Sequence, residues 1–317
     1  MRSVCVVGAT GYVGAEICRW VLGHPDLELS TVVSASQAGR PLAHVLPGLA
    51  GCTDVVLTPF DAAAAATHDV VFLATPHGAA APLAAQLGSA PLVVDASADH
   101  RASPDWIHGP PELVPNELAG GDLRISCPGC FATALELAIG PFVAAGAVVG
   151  PVTVAAATGS TGSGASPRAA THHPERMVNL KAYKVLAHQH VPEVLRVLGR
   201  LGEAPELHFV PWSAPMDRGI FLTAFVPISP GLSAEAVVVD AYAAQPLVRL
   251  RSETPELRHV RGTAFADLAV HQQHQTATIL VAIDNLGKGA AAQAVQWANR
   301  ALGLPDARGL VTPGALP

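Results

Sequence analysis

Three glycines at a spacing of three, Gly8, Gly11 and Gly14, constrain this chain more than any other feature. They follow the apolar run Val4 to Val7 and precede Ala15 to Leu22, whose composition is helical, so the segment reads as strand, tight turn and helix. Such a turn lets backbone N–H groups at a helix start approach a pyrophosphate, and the helix dipole adds to the attraction for an anion. The spacing differs from G-x-G-x-x-G, and a plain strand-to-helix turn is the competing reading.

The next segments extend the pattern. Leu27 to Val33, Asp69 to Ala74 and Leu92 to Asp95 read as strands, with the Ala-rich stretch Gly78 to Leu87 as a helix between the last two. Alternating strand and helix implies a parallel, doubly wound sheet. From Pro151 the strand-like runs Val152 to Ala157, Leu207 to Val210, Ile220 to Val226 and Thr276 to Ile283 are separated by long loops, which suggests a second, mixed α/β domain. Gly287 to Ala301 is again helical and is expected to return to the cofactor side. With 317 residues, half of them apolar, two domains are expected: residues 1–129 with 286–317 for cofactor binding, and 130–285 for substrate.

At the end of the second strand an NAD site usually carries an acid for the ribose hydroxyls, whereas here Ser34, Ala35 and Ser36 are followed by Arg40. NADP is therefore favoured, with the serines donating to a 2′-phosphate and Arg40 neutralising it, unless this is an ordinary polar loop.

A formal charge of -6 and the absence of a basic run argue against nucleic acid as a partner. Leu137 to Ala157 is long and apolar enough to suggest a membrane span, but Gly140-Pro141 and Gly150-Pro151 are expected to break it into helix, turn and strand. Five scattered cysteines, and a start that runs straight into a strand, point to a reducing cytoplasm.

Cys127-Pro128-Gly129-Cys130 opens a helix-like segment, so Cys130 is expected at a helix N-terminus, which favours a nucleophilic thiolate. A redox dithiol, half a zinc site and a small buried residue are the rival readings, although no second cysteine pair completes a metal cage. Downstream, His172, His173, Lys181, Lys184, His188 and His190 fall within 19 residues and suggest an anion-binding wall, with His188 or His190 as proton-handling partner. No metal is expected.

With these segments placed, the chain resembles, nearly end to end, the N-acetyl-γ-glutamyl-phosphate reductase family, related to aspartate-semialdehyde dehydrogenase. Ala170-Thr171-His172-His173-Pro174-Glu175-Arg176 and Tyr183-Lys184 look closest to the lysine-pathway branch, whose substrate is an aminoadipyl or glutamyl phosphate held on an amino-group carrier protein. The resemblance implies a Rossmann-type NADP-binding domain and a mixed α/β substrate domain of the aspartate-semialdehyde dehydrogenase / glyceraldehyde-3-phosphate dehydrogenase C-terminal type. It implies that Cys130 attacks an acyl phosphate, that NADPH reduces the resulting thioester to a semialdehyde, and that His190 is the acid/base with His188 as fallback. Cofactor contacts are implied at Gly8, Thr10, Gly11, Tyr12, Val13, Gly14, Ser34, Ala35, Ser36 and Asn285, and an oxyanion site at the Ser160–Ala165 loop. A homo-oligomer packed through its substrate domains is expected, and an acidic carrier protein would find Arg168, His172, His173, Arg176, Lys181 and Lys184 as a landing strip.

Two departures from the family pattern stand out. Cys127 replaces a common Asn and would permit a disulfide to Cys130, and Gln189 replaces the usual Arg between the two histidines. The competing classes are an extended short-chain dehydrogenase, which shares the glycine loop but is weakened because no tyrosine is followed four residues on by lysine, and a non-catalytic NADP-binding sensor.

Overall fold

The computed structural model describes residues 1–88, 92–114 and 123–314. Residues 89–91, 115–122 and 315–317, which fall in the ranges assigned above to the cofactor domain, lie outside the described residues. The chain divides into two compact units, Met1–Pro128 with Ala290–Thr312, and Gly129–Gly289 with Pro313 and Gly314.

The first unit carries a sheet of β1 (Arg2–Val7), β2 (Leu27–Val33), β3 (Leu57–Thr58), β4 (Val70–Leu73), β5 (Leu92–Asp95), β6 (Ile107–His108) and β7 (Arg124–Ser126). Their order is β3-β2-β1-β4-β5-β7-β6, and every pairing is parallel. Because helices cover both faces of such a sheet, β4 and β5 are buried along their whole length, which is why they appear in the sequence as unbroken apolar runs. The strand order reverses beside β1, so the Gly8 turn at its end lies at the switch point where doubly wound sheets take their ligands. The Ala292–Ala301 helix packs on β5 and on the Tyr12–Leu22 helix, and Trp297 donates its indole N–H to the Gly109 carbonyl at 3.0 Å.

The helix expected over Gly78 to Leu87 is a single short turn, Ala80–Ala84. Asp99 fixes its start by accepting from the N–H groups of Gly78, Ala80 and Ala81 at 2.7, 2.9 and 3.1 Å. Burial opposes the charge on Asp99, but these three donors outweigh it and hold the carboxyl below its ordinary value.

The second unit has a mixed sheet: β8 (Val152–Thr158), β9 (Lys181–Ala182), β10 (Leu207–Ser213), β11 (Ile220–Pro227), β12 (Val248–Leu250), β13 (Ala266–Gln273) and β14 (Thr276–Ile283), in the order β12-β13-β14-β11-β8-β10-β9. Burial alternates cleanly along β8 and β11, with Val152, Val154, Leu222, Ala224 and Val226 turned to the helical side. On that side lie the helices Cys130–Ala144, Val191–Leu201 and Ala234–Tyr242.

The Gly140-Pro141 pair does not break the first of these helices. It runs unbroken from Cys130 to Ala144 with Pro141 inside it, correcting the expected helix-and-turn division. Proline at 141 removes the N–H that would bond the carbonyl of Leu137. The Tyr242 hydroxyl supplies the missing donor, reaching Leu137 O at 2.7 Å from a side chain that is itself 1% exposed. Every residue from Phe131 to Val143 is buried, as suits a helix apolar on nearly every face, with Thr133 and Glu136 as its buried polar side chains. Among the described residues no helix is long and apolar enough to cross a membrane.

Candidate active site

In the first unit the glycines do different things. Gly8 has φ +85°, and a Cβ there would sit 2.4 Å from the carbonyl oxygen of Ala74, just past β4. A Cβ on Gly14 would lie 2.2 Å from Gly8 O, so these two glycines let the helix close onto the turn. At Gly11 the nearest atom to a Cβ would be 3.5 Å away, so packing does not demand glycine. Gly11 is also the N-cap of the Tyr12–Leu22 helix and no side chain caps it, which leaves the N–H groups of the first turn available to an anion. Ser34, nearly buried at the end of β2, shares a 3.1 Å hydrogen bond with Thr10, while Ala35, Ser36 and Arg40 are exposed. The structure thus gathers Thr10 and Ser34 beside the glycine turn.

Cys130 is the first residue of its helix, with Gly129 as N-cap, and its side chain is partly exposed. The histidines stand at the start of the amphipathic Val191–Leu201 helix, whose buried side is Glu193, Val194, Val197 and Leu198. Glu193 joins the two helix starts, its carboxylate accepting from the Gly129 N–H at 2.9 Å. This bond gives the Pro-Glu of His-Gln-His-Val-Pro-Glu its physical meaning: the carboxylate sets the nucleophile's helix against the histidine-bearing turn. Phe131 packs edge-on against both histidines, with centroids 5.3 Å from His188 and 6.3 Å from His190.

The histidines differ in surroundings. His188 is 3% exposed and enclosed by Phe131, Tyr183 and Phe209, and its Nδ1 accepts the backbone N–H of His190 at 3.2 Å, which puts the ring proton on Nε2. Burial, reinforced by the Lys184 charge, pushes its pKa down to about 4, so the ring stays neutral at physiological pH. Its ring lies 4.7 Å from that of His190. Tyr183 is pushed up to about 12, mainly by burial and then by the neighbouring Cys130, with Arg176 acting in the opposite sense.

A third segment meets the nucleophile from the far end of the unit. The chain turns in a π-helical loop at Gly287–Ala291, and a Cβ on Gly289 would lie 2.9 Å from Cys130 Cβ. Buried Asp284 holds this loop, accepting from the N–H groups of Leu286, Gly287 and Gly262 at 2.8, 3.1 and 2.5 Å and pairing with Arg218 at 3.0 Å. Asn285, expected as a cofactor contact, spends its amide within the unit: Oδ1 accepts from Gly219 N–H at 2.7 Å and Nδ2 donates to Thr161 at 3.0 Å. Sequence reasoning gave Asp284, Glu193 and Tyr183 no role of their own, because what a buried polar residue holds is decided by partners distant in the chain.

Two further expectations need correction. In the Ser160–Ser163 turn the N–H groups of Ser160 and Thr161 donate to the carbonyls of Met216 and Asp217, and that of Gly164 donates to Thr161, so these donors are not aimed at an oxyanion. Arg176 leaves the proposed landing strip, because its guanidinium braces the carbonyls of Ala214 and Thr158 at 2.8 Å each. The five cysteines are free thiols, and burial with Asp95 nearby drives the Cys127 pKa far up, so that thiol stays protonated. No group of His, Cys, Asp and Glu able to hold a metal occurs among the described residues.

A glycine turn at the switch point of a parallel sheet, and a cysteine on a helix start with histidines beside it on a mixed sheet, define an oxidoreductase of the semialdehyde dehydrogenase class. Residues 3–120 match the semialdehyde dehydrogenase NAD binding domain and residues 130–285 the semialdehyde dehydrogenase dimerisation domain. The fold is that of aspartate semialdehyde dehydrogenase II of Vibrio cholerae, solved with ASA, at TM-score 0.76 and 18% identity over 96% of this chain and 98% of that one. The enzyme of Candida albicans, solved with NADP, gives TM-score 0.74 at 16% identity over 96% and 99%. Sequence relatives go further: N-acetyl-gamma-glutamyl-phosphate reductases of Salinispora arenicola and Corynebacterium glutamicum are 42% and 36% identical, each over 99% of both chains. The chain belongs to the N-acetyl-γ-glutamyl-phosphate reductase family.

Proposed function

We propose that this enzyme reduces an N-blocked γ-acyl phosphate to the semialdehyde with release of phosphate, using NADPH, and that N-acetyl-γ-glutamyl phosphate is its substrate. The observation that carries the reading is the joining of Cys130 and the His188–His190 turn through Glu193 and Gly129. Cys130 attacks the acyl carbon, the C–O bond to phosphate breaks, and a thioester remains on Sγ. When bound, NADPH supplies the hydride that reduces this thioester. The resulting hemithioacetal loses its oxygen-bound proton and the C–S bond breaks, returning Cys130 as thiol and releasing the aldehyde.

His190 is the acid/base that serves these proton movements. His188 is too deeply enclosed and too weakly basic for that task, and it orients His190 through the bond between its Nδ1 and the His190 N–H. The residues of the first unit fit a dinucleotide: the clear space at Gly11 and the uncapped helix start suit a pyrophosphate, and Ser34, Ser36 and Arg40, with no acid among them, suit a 2′-phosphate.

The blocking group has a second reading, a carrier-protein-linked aminoadipyl or glutamyl phosphate, supported by the exposed cationic stretch Arg168, His172, His173 and Lys181. Relatives 42% to 36% identical carry the acetyl name, which favours the first. Assembly as a homo-oligomer is supported by the outer face of the second sheet, where Phe225 is 46% exposed beside half-buried Phe221 and Leu280.

The test is the reverse reaction: NADPH formation from N-acetyl-glutamate semialdehyde and phosphate, with the carrier-bound aminoadipate semialdehyde in parallel. Turnover that requires phosphate and falls by about 10³-fold or more in Cys130→Ser is expected. Preference for the carrier-bound aldehyde would move the substrate to the second reading, and full activity in Cys130→Ser would end the thioester mechanism.

A further inference from the structure

Lys184 sits at the edge of the same site under unusual constraint. Its backbone is left-handed at φ +45°, as is that of Leu186 at φ +56°, a conformation that costs a side-chain-bearing residue about 1–2 kcal/mol. The turn persists because it is pinned on both sides to β10, the Tyr183 N–H donating to Pro211 O and the Leu186 N–H to Phe209 O, each at 3.1 Å. The consequence is that the Lys184 ammonium is folded back onto Gln189, to whose side-chain oxygen it donates. Gln189 is the residue between His188 and His190, so the cation is held at the turn that carries them, near enough for its charge to act on His188.

That cation is uncompensated. Among the described residues no carboxylate pairs with Lys184, and the side chain is exposed. An ammonium has three donors, and Gln189 accepts one. Two arginines of the same unit, Arg176 and Arg218, are already engaged, the first on backbone carbonyls and the second on Asp284. The charge is also felt inside the site, where it helps keep His188 neutral. A positive charge held by a strained turn, with two open donors and no carboxylate partner among the described residues, is arranged for an anion brought from outside.

We infer that Lys184, steered by Gln189, is a specificity-determining residue that meets an anionic oxygen of the substrate, phosphoryl or carboxylate. This rests on the reading of the site as an acyl phosphate reductase and supplies an exposed cation for a substrate that bears both a phosphoryl group and a carboxylate. It also accounts for the glutamine between the histidines: the cation is delivered from a neighbouring turn, and Gln189 is its seat.

The experiment measures KM for phosphate and KM for the semialdehyde separately in the reverse reaction, in wild type, Lys184→Met, Lys184→Arg and Lys184→Met with Gln189→Arg. In Lys184→Met one of the two KM values is expected to rise at least tenfold, by more than kcat falls. A rise in the phosphate KM assigns Lys184 to the phosphoryl group, and a rise in the semialdehyde KM assigns it to the carboxylate. Lys184→Arg should stay within threefold of wild type, and Gln189→Arg should restore the double variant at least partly, which a role in folding alone would not produce. Both KM values within twofold of wild type in Lys184→Met, or an equal loss of kcat and kcat/KM with no recovery by arginine, would overturn the inference. Should wild type turn over neither semialdehyde, the proposed function fails, and this inference is decided on its own by alkylation of Cys130. Inorganic phosphate or N-acetylglutamate should slow iodoacetamide labelling in wild type and not in Lys184→Met, and equal protection in both would refute it.

Discussion

The glycine turn of the first unit and the cysteine–histidine cluster of the second are both built at helix starts, yet they are specified in opposite ways. The turn is made by atoms that are missing: Gly8 and Gly14 let backbone pass within a distance no Cβ tolerates, and its three glycines lie within seven consecutive residues. The cluster is made by side chains that hold one another across long stretches of sequence, Glu193 on Gly129, Asp284 on Gly262 and Gly287, Asn285 on Gly219. A site of the first kind fails when something is added, and one of the second kind fails when something is removed.

That contrast is broken most directly at the glycines. Gly8→Ala should destabilise the first unit by about 3 kcal/mol or prevent its folding, since the methyl meets a carbonyl oxygen and φ is positive. Gly11→Ala should leave the melting temperature within about 2 °C and weaken NADP binding by about tenfold, because only the ligand needs that space. Calorimetric melting and NADP titration distinguish the two, and equal destabilisation by both would erase the distinction drawn here.

In the second unit, acid is the sharpest probe. The folded-state pKa of His188 is lowered, so the unfolded chain binds the proton more readily and stability falls as pH drops from about 6.5 towards about 4. The loss approaches about 3 kcal/mol at the lower limit. His24, also lowered by burial, adds an acid loss of the same sign below about 6.5, whereas the stability that depressed carboxyls such as Asp99 and Asp69 supply is lost only as pH falls below about 3.8. Urea unfolding of wild type and His188→Asn at pH 7 and pH 5 should therefore show a smaller acid loss in the variant, and identical losses would mean that His188 is not held neutral.

Smaller effects follow from single bonds. Glu193→Ala should cost about 2 kcal/mol and lower kcat, while Glu193→Gln, which keeps an acceptor for the Gly129 N–H, should recover most of both. Tyr242→Phe should cost about 1 kcal/mol, by leaving Leu137 O without its donor, with kcat unchanged. A Tyr242→Phe variant as stable as wild type would show that the helix closes over Pro141 unaided.

The same difference explains what could be read from the sequence. Leu27–Val33, Leu92–Asp95 and Thr276–Ile283 occur as strands with the bounds their apolar patterns suggest, because full burial or strict alternation leaves a local signature. β3, β6, β7, β9 and β12, with two or three residues each, are too short for any period to show, and β13 was hidden by Asp267, buried near the start of the strand and paired with Arg249. Cys130 at a helix start was legible from Pro-Gly before it. The long helix through Pro141 was not, because its rescue comes from a tyrosine 101 positions further along the chain.

The order in which the chain is made gives the first unit a delayed birthday. Its sheet strands are all synthesised by residue 126, but the helix that packs on β5 and sends Trp297 to Gly109 begins only at Ala292. At ribosomal rates of about 5–20 residues per second, roughly ten to thirty seconds pass while the intervening unit emerges. Throughout that interval the side of β5 that this helix covers is exposed. The nascent chain is thus most prone to aggregate in the middle of its own translation, and the Ala292–Ala301 helix ends that interval.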